Sequence, residues 1–217
     1  MKQKIKFTII LFVIAVVLGV LAFNEYQNKQ DLVFADSLDK AVLMVDGQQL
    51  TLSDMAFYIA YQEGEIEKSA RIYNPENTDE YWNLYTNNNF LRAAGKQAVL
   101  DMAVHDEIFY RLAVEEDVKL SEEEEEHLAN DIYDFWSDLE EEQRAALGVS
   151  EEVLAESMRK IALAEKYQYL LAAMKQKSAE DYTYCGKAYE KMLEEHEYTV
   201  EEKVWERVPF GSVTVNH

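Results

Sequence analysis

The sequence predicts a mainly α-helical bundle with a small β element, preceded by one transmembrane helix. Only 7 Gly and 2 Pro occur among the 217 residues, and such a composition disfavours a turn-rich all-β fold. Apolar side chains recur at spacings of three and four along much of the chain, as they do on the buried face of a helix. Short apolar runs typical of strands occur near residues 41–52 and 204–215. We therefore expect the β element to combine an N-terminal hairpin with C-terminal extended segments.

The N-terminus predicts where the protein is located. Three lysines lie in the first six residues, and an apolar run follows over residues 7–23. Basic residues before such a run keep the N-terminus in the cytoplasm and direct the following chain across the membrane. A cleavage site after Ala22 is the alternative, and the protein would then be secreted. The sequence therefore predicts four parts in order. They are a cytoplasmic basic tail (residues 1–6), a transmembrane signal-anchor (7–23), a linker or stalk (24–40) and an extracytoplasmic domain (41–217).

The composition limits the classes of partner. The chain carries 21 Lys and Arg against 42 Asp and Glu, a formal net charge of −21. Such a surface repels nucleic acid and anionic lipid, so we expect no nucleic-acid partner. Its ordinary role is to keep the protein soluble, and binding of Ca²⁺ or of cationic clients is the alternative. With 48% hydrophobic residues the chain is not a disordered acidic tail. Its single cysteine rules out a disulfide within the chain, so stability must come from a packed core.

The first elements of the domain have local signals. Two short apolar runs, 41–45 and 48–52, flank the pair Asp46-Gly47, which is typical of a tight turn between strands. Residues 53–54, Ser and Asp, are suited to cap the helix that follows. Residues 74–78, with Asn, Pro and Thr, predict the next loop.

The middle of the chain predicts long helices. An apolar pattern at helical spacing covers about residues 90–117 and indicates a central helix. Ser121 and Glu124 form a capping-box pattern at the start of another helix, whose buried side includes Leu128, Phe135 and Trp136. Its acidic first turns suit the positive end of the helix dipole.

The last third of the chain continues the helical pattern and ends in extended runs. Gly148 predicts a helix end, and Ser150 predicts the start of the next helix. A further helix is predicted over about residues 179–197. The runs 204–208 and 210–215 are expected to be extended and to pair with the N-terminal hairpin.

Catalytic signatures are absent from the sequence. No nucleophile elbow, phosphate-binding loop, dinucleotide fingerprint, zinc-protease motif or EF-hand loop occurs. Cys185 with His196, and Asp101 with His105, are the pairs that invite a catalytic or metal reading, but ordinary packing and hydrogen bonding explain them more simply. We expect no catalytic residue, no metal, no cofactor and no enzymatic activity.

Aromatic and methionine side chains provide the candidate binding residues. Flexible methionines and amphipathic aromatics suit surfaces that hold varied peptides, although core packing is their ordinary role. The candidates for contact with an unfolded polypeptide are Met55, Phe57, Tyr58, Tyr61, Trp82, Tyr85 and Trp136.

Three segments together resemble the SurA/PrsA family of exported chaperones. They are residues 41–55, with the hairpin turn and helix start; residues 117–124, which match the family's "V-x-L-S/T-x-E-E" step; and residues 148–167. The likeness covers about residues 41–175. It implies a SurA N-terminal-like helical domain. Together with the predicted signal-anchor, the expected location is the bacterial cytoplasmic membrane, as a single-pass protein.

The sequence departs from the family at its C-terminal end. Family members usually carry a parvulin-type prolyl isomerase domain, and residues 177–217 are too few to form one. The PrsA kind is anchored by a lipid on cysteine, whereas this chain would depend on its N-terminal helix. The resemblance therefore implies that the protein holds unfolded or extended exported polypeptides without isomerising them. The alternative is a structural or scaffolding ectodomain that binds one folded envelope partner.

Overall fold

A computed structural model describes residues 30–215, which are mainly helical with a small antiparallel sheet, as predicted. The predicted basic tail, the signal-anchor at residues 7–23 and the first part of the linker lie outside the described residues. Within residues 30–215, none of the helices combines the length and the apolar character that crossing a bilayer requires. The elements in chain order are β1 (Ala41–Val45), β2 (Gln48–Thr51), α1 (Leu52–Tyr73), α2 (Asp79–Trp82), β3 (Tyr85–Thr86), β4 (Asn89–Phe90), α3 (Leu91–Glu115), α4 (Glu122–Asp138), α5 (Glu141–Leu147), α6 (Glu151–Lys175), a 3-10 turn (Ala179–Tyr182), α7 (Lys187–Leu193), β5 (Tyr198–Val200) and α8 (Glu202–Trp205).

The N-terminal hairpin is confirmed, and its partner strand is a different segment from the predicted one. Strands β1 and β2 pair antiparallel around Asp46 and Gly47, whose φ angles are 46° and 82°. Strand β5 then pairs with the other side of β1, which gives the strand order β2-β1-β5. The prediction that residues 204–208 and 210–215 are the pairing strands is wrong, because β5 already occupies that edge of β1.

Helices α1, α3 and α6 form the packed centre of the domain. The predicted central helix over residues 90–117 is confirmed as α3, with Val99, Ala103 and Phe109 among its buried residues. The capping box at the start of α4 is also confirmed. The Ser121 N–H donates to Glu124 at 2.6 Å, and the Glu124 N–H donates back to the Ser121 hydroxyl at 3.3 Å. Helix α1 begins two residues earlier than predicted, because Thr51 is its capping residue.

Two further segments differ from their predictions. Leu32 and Phe34, within the predicted linker, are buried in the core, so the packed domain begins before Ala41. The helix predicted over residues 179–197 is divided into the 3-10 turn and α7. The chain turns tightly before Gly186, where an added Cβ would lie 2.3 Å from the Asp181 carbonyl oxygen, so a side chain does not fit.

The last described residues cross the helices without regular secondary structure. We call residues 208–215 the terminal segment. Its apolar side chains Val208, Phe210, Val213 and Val215 are all buried in the same core as α1 and α3. The terminal segment therefore completes the helical bundle rather than the sheet.

Candidate functional site

An open cleft of about 380 Å³ lies between α1, the end of α4, the start of α5 and the end of the terminal segment. Tyr61 of α1 and Phe135 of α4 provide its aromatic walls, and Ala60, Leu139 and Val215 are the buried apolar residues beside them. We call this site the aromatic cleft. A cavity of that size is at the lower end of the range for ligand sites, so it admits one or two large side chains.

The aromatic walls are held by ring contacts from α1. The ring of Phe57 stacks on Tyr61 with centroids 5.9 Å apart, and it meets Phe135 at 4.9 Å. Tyr61 nevertheless keeps 43% of its surface exposed, so the cleft has a solvent-facing aromatic ring. Such a ring can pack against an incoming apolar side chain while its hydroxyl stays in water.

Charged side chains surround the cleft, with carboxylates in excess. Lys68 contacts Glu65 at 2.8 Å, and Arg71 contacts Glu67 at 3.1 Å, so both lining cations are paired on α1 itself. The hydrogen bond to Glu65 raises the pKa of Lys68. Two further carboxylates, Asp138 and Glu140, line the α4 and α5 side of the cleft. The rim is therefore negative and suits a ligand that carries a basic group beside an apolar one.

Next to the cleft, a fully buried carboxylate on α1 binds the terminal segment. Glu63 accepts backbone N–H hydrogen bonds from Gly211 at 2.5 Å, Val213 at 3.2 Å and Thr214 at 2.6 Å. The Thr214 hydroxyl donates a fourth bond at 2.6 Å. Burial raises the pKa of Glu63 although these four donors oppose the shift. A carboxylate buried in this way is stable only while its donors are present.

Two more side chains bind backbone carbonyls in or next to the terminal segment. The guanidinium of Arg92 donates to the Phe210 carbonyl at 3.1 Å. Lys96 donates to the Val208 carbonyl at 2.8 Å and to that of Glu206 at 3.1 Å, and burial lowers the pKa of its ammonium.

At the cleft end of the segment, the side-chain amide of Gln143 donates to the Thr214 carbonyl at 2.7 Å. We call the surface that carries Glu63, Arg92, Lys96 and Gln143 the terminal groove. It holds residues 208–215, which turn tightly around Gly211 at φ 85°, mainly through backbone groups.

Apolar contacts fix the other end of the terminal segment. Phe210 packs edge-to-face on Trp82 with centroids 5.9 Å apart. Gly95 of α3 allows this approach, because a Cβ there would lie 2.9 Å from the Phe210 ring. Trp82 itself is fully buried and donates its indole N–H to Glu67 at 2.9 Å.

Comparison with known proteins gives no match. No protein-family model, curated protein or solved structure is similar to this chain. The site's own geometry is therefore the basis for its functional interpretation.

The structure brings together only some of the predicted client-binding residues. Phe57 and Tyr61 lie at the aromatic cleft. Met55, Tyr58 and Trp82 are buried in the core, where a client would not contact them.

The other two predicted residues lie elsewhere. Tyr85 is 63% exposed on the β3–β4 hairpin, where its ring meets Phe90 at 5.2 Å. Trp136 is half-buried under the guanidinium of Arg144, 5.0 Å from its ring centroid. Sequence reasoning missed Glu63, Leu139 and Gln143 as site residues; each is an ordinary member of a helical pattern and has no local signal of its role.

The residue pairs considered for catalysis have structural partners. The two ring nitrogens of His105 lie 2.7 Å from Asp106 and 2.8 Å from the Tyr182 carbonyl oxygen. Asp101 accepts from Gln97 at 2.8 Å rather than contacting His105. Among residues 30–215, no group of three or more His, Cys, Asp and Glu is placed to hold a metal ion.

Proposed function

We propose that this chain is a membrane-anchored, extracytoplasmic chaperone-like protein that holds unfolded exported polypeptides without isomerising their prolyl bonds. The aromatic cleft would take an apolar side chain of the client. The observation that carries the proposal is an open cleft with aromatic walls whose rim bears an excess of carboxylates. Unfolded segments expose apolar side chains, and a basic residue next to one would be attracted to that rim.

The size of the cleft supports transient rather than tight holding. About 380 Å³ accommodates one or two large side chains. A stable protein complex, by contrast, buries about 20–30 residues on each partner. Binding of one or two side chains is weak and rapidly reversible. Weak, repeated contacts allow a client to leave and fold, as a holding function requires.

Two sequence features support the location and the class. The basic tail and the apolar run at residues 7–23 favour a tether to the cytoplasmic membrane. The resemblance of residues 41–175 to SurA/PrsA proteins favours a client-holding domain.

Aggregation of an unfolded client tests the proposal. The full-length chain in mild detergent is added in increasing amounts to a reduced, unfolded client, and light scattering is recorded. We expect suppression near stoichiometric amounts. Tyr61→Ser should raise the half-maximal concentration about tenfold, because losing about 1.4 kcal/mol of aromatic burial corresponds to that factor.

A matched control uses another exposed tyrosine. Tyr133 of α4 is 67% exposed and is not part of the cleft lining, so Tyr133→Ser should leave the half-maximal concentration unchanged. Phe135→Ser, on the same helix but lining the cleft, should act like Tyr61→Ser. The proposal is rejected if the unaltered chain does not suppress aggregation, or if all three variants behave alike.

A further inference from the structure

One glycine of the aromatic cleft is not explained by the fold. Gly64 lies near the middle of α1, where glycine is the least favourable residue after proline because it loses the most backbone freedom. Each of the other glycines of residues 30–215 has a positive φ angle or a neighbour that leaves no room for a Cβ. Gly64 has neither, and a Cβ built there would have no packing partner within 4 Å. Packing within the described chain therefore does not require glycine at this position.

The absence of a side chain at Gly64 opens the aromatic cleft. Gly64 is part of the cleft lining and lies about one helical turn after Ala60. The floor of the cleft along α1 is therefore one methyl group followed by bare helix backbone, beside the ring of Tyr61. A bound group can approach the main chain of α1 more closely here than at any position that carries a side chain.

The shape of the cleft favours an aromatic side chain as its occupant. Tyr61 and Phe135 line it, and the Phe57 ring contacts both of them, with centroid distances of 5.9 Å and 4.9 Å. Leu139 and Val215 add buried apolar surface. A flat ring can lie against the exposed backbone while its edge or face meets the aromatic walls, and aromatic pairs gain more than their buried area alone provides.

The charge of the lining favours a basic residue next to that ring. The lining contains four carboxylates and two cations, and both cations, Lys68 and Arg71, are paired with carboxylates of α1 itself. The excess negative charge is therefore that of Asp138 and Glu140, on the opposite side of the cleft. A Lys or Arg beside the bound aromatic residue would lie close to these two carboxylates, whereas an acidic neighbour would be repelled.

We propose that the aromatic cleft binds an aromatic side chain next to a Lys or Arg residue in a flexible polypeptide, and that Gly64 sets this specificity by leaving room for the ring against α1. Gly64 is then a specificity-determining residue, retained at a cost in helix stability. That the natural ligand is an exported client rests on the proposed function; the ligand class and the role of Gly64 do not.

A short peptide tests the ligand class. Acetylated and amidated Gly-Ser-Phe-Lys-Ser-Gly is titrated into the full-length chain in lipid nanodiscs, and its dissociation constant is measured by saturation-transfer difference NMR. We expect a value of about 1 mM, because only one or two side chains are bound. Replacing the Phe of the peptide by Ala should abolish measurable binding. Replacing its Lys by Glu should weaken binding about fivefold, because the new charge meets the excess carboxylates.

Substitutions on α1 test the role of Gly64. Gly64→Ala should raise the melting temperature by about 2–4 °C, because alanine is the better helix former and its methyl group meets nothing. It should also weaken binding of the Phe-Lys peptide at least about fivefold, because the methyl group takes space that the ring needs. Gly64→Leu should abolish binding. Ser69→Ala is the matched control, since Ser69 is exposed on the same helix outside the cleft lining and should leave the dissociation constant unchanged.

Higher stability combined with weaker binding is the result that distinguishes a glycine needed by a ligand from one needed by the fold. The inference is overturned if Gly64→Ala binds the Phe-Lys peptide as tightly as the unaltered chain does, or if Gly64→Ala lowers the melting temperature. It is also overturned if the unaltered chain does not bind that peptide, or binds the Ala-Lys peptide equally well.

Failure of this inference is distinguishable from failure of the proposed function. Peptide binding that depends on Gly64, without suppression of client aggregation, supports the ligand class and rejects the holding role. Suppression of aggregation that Gly64→Ala leaves unchanged supports the holding role and rejects the role of Gly64.

Discussion

Replacing Glu63 tests whether a single buried carboxylate holds the end of the chain to the helical bundle. Glu63→Ala removes the acceptor of three backbone N–H groups and of the Thr214 hydroxyl. All four donors then lie in a region that Glu63, at 0% exposure, shows to be closed to solvent. Folding must then leave these donors unpaired or admit water into the core.

The expected loss of stability follows from those contacts. An orphaned buried donor costs about 1–3 kcal/mol, and hydrogen bonds to a charged acceptor are among the stronger ones. Removing a buried charge recovers part of its desolvation cost, and water entering the vacated space satisfies some donors. We expect a net decrease in the free energy of unfolding of about 3–4 kcal/mol for Glu63→Ala. Glu63→Gln keeps one acceptor oxygen but turns an amide donor toward Thr214, so about 1–2 kcal/mol is expected.

Urea unfolding of the full-length chain, followed by far-UV circular dichroism, measures these values. Glu65→Ala is the matched control, because Glu65 lies on the same helix, is exposed and forms its one ion pair among residues 30–215 with Lys68 at the surface. Both substitutions gain the helix propensity of alanine, and Glu65→Ala should change stability by no more than about 0.5 kcal/mol. If Glu63→Ala unfolds within that margin of the unaltered chain, the carboxylate is not what holds the terminal segment.

Two further predictions concern α4 and the turn before α6. The pKa of Glu124 is lowered to about 2, chiefly by its hydrogen bond with Lys166 and further by those with Ser121. The stabilisation that Lys166 provides is present above the unfolded pKa near 4.5 and is lost as the pH falls toward 2. The difference in urea midpoint between the unaltered chain and Lys166→Met should therefore disappear over roughly that interval. Gly148 has φ +66°, and an added Cβ would lie 2.6 Å from the Cβ of Ala35, so Gly148→Ala should cost about 2–4 kcal/mol in urea unfolding. Gly47→Ala, at φ +82° with open space around it, should cost only about 1 kcal/mol, and equal losses at the two glycines would show that the Ala35 contact is unimportant.

The elements predicted correctly are those whose signals are local. The turn at Asp46-Gly47, the capping box at Ser121 and the stop at Gly148 each depend on a few neighbouring residues, and all three occur in the structure. Their conformations are set by steric limits on positive φ and by hydrogen bonds three residues apart. Tertiary contacts did not override them.

The candidate site depends on contacts between distant parts of the chain, which the sequence does not display. Glu63 is followed by Gly64 and Glu65, an ordinary pattern for a solvent-facing helix surface. Its burial is decided by residues 211–214, almost 150 positions later. The alternating apolar residues of the terminal segment predicted a strand, but β5 pairs with that edge of β1 instead. A hydrogen bond from the Glu197 N–H to Asp46, at 2.9 Å, holds β5 beside the hairpin turn.

Helix α4 is the wall of the aromatic cleft that the structure holds least firmly, which matters if the cleft binds clients as proposed. Among its residues only Leu128 is buried, whereas α1 and α3 each bury many side chains. Two surface ion pairs, Arg159 with Glu125 at 2.6 Å and Lys166 with Glu124 at 2.5 Å, join it to α6. Exposed ion pairs contribute little to stability, and segments with few buried apolar contacts open at the lowest free-energy cost. Phe135 on α4 forms one wall of the cleft, and Tyr61 on the firmly packed α1 forms the other. We therefore expect any widening of the cleft to move the α4 wall while the surface that carries Glu63 stays fixed.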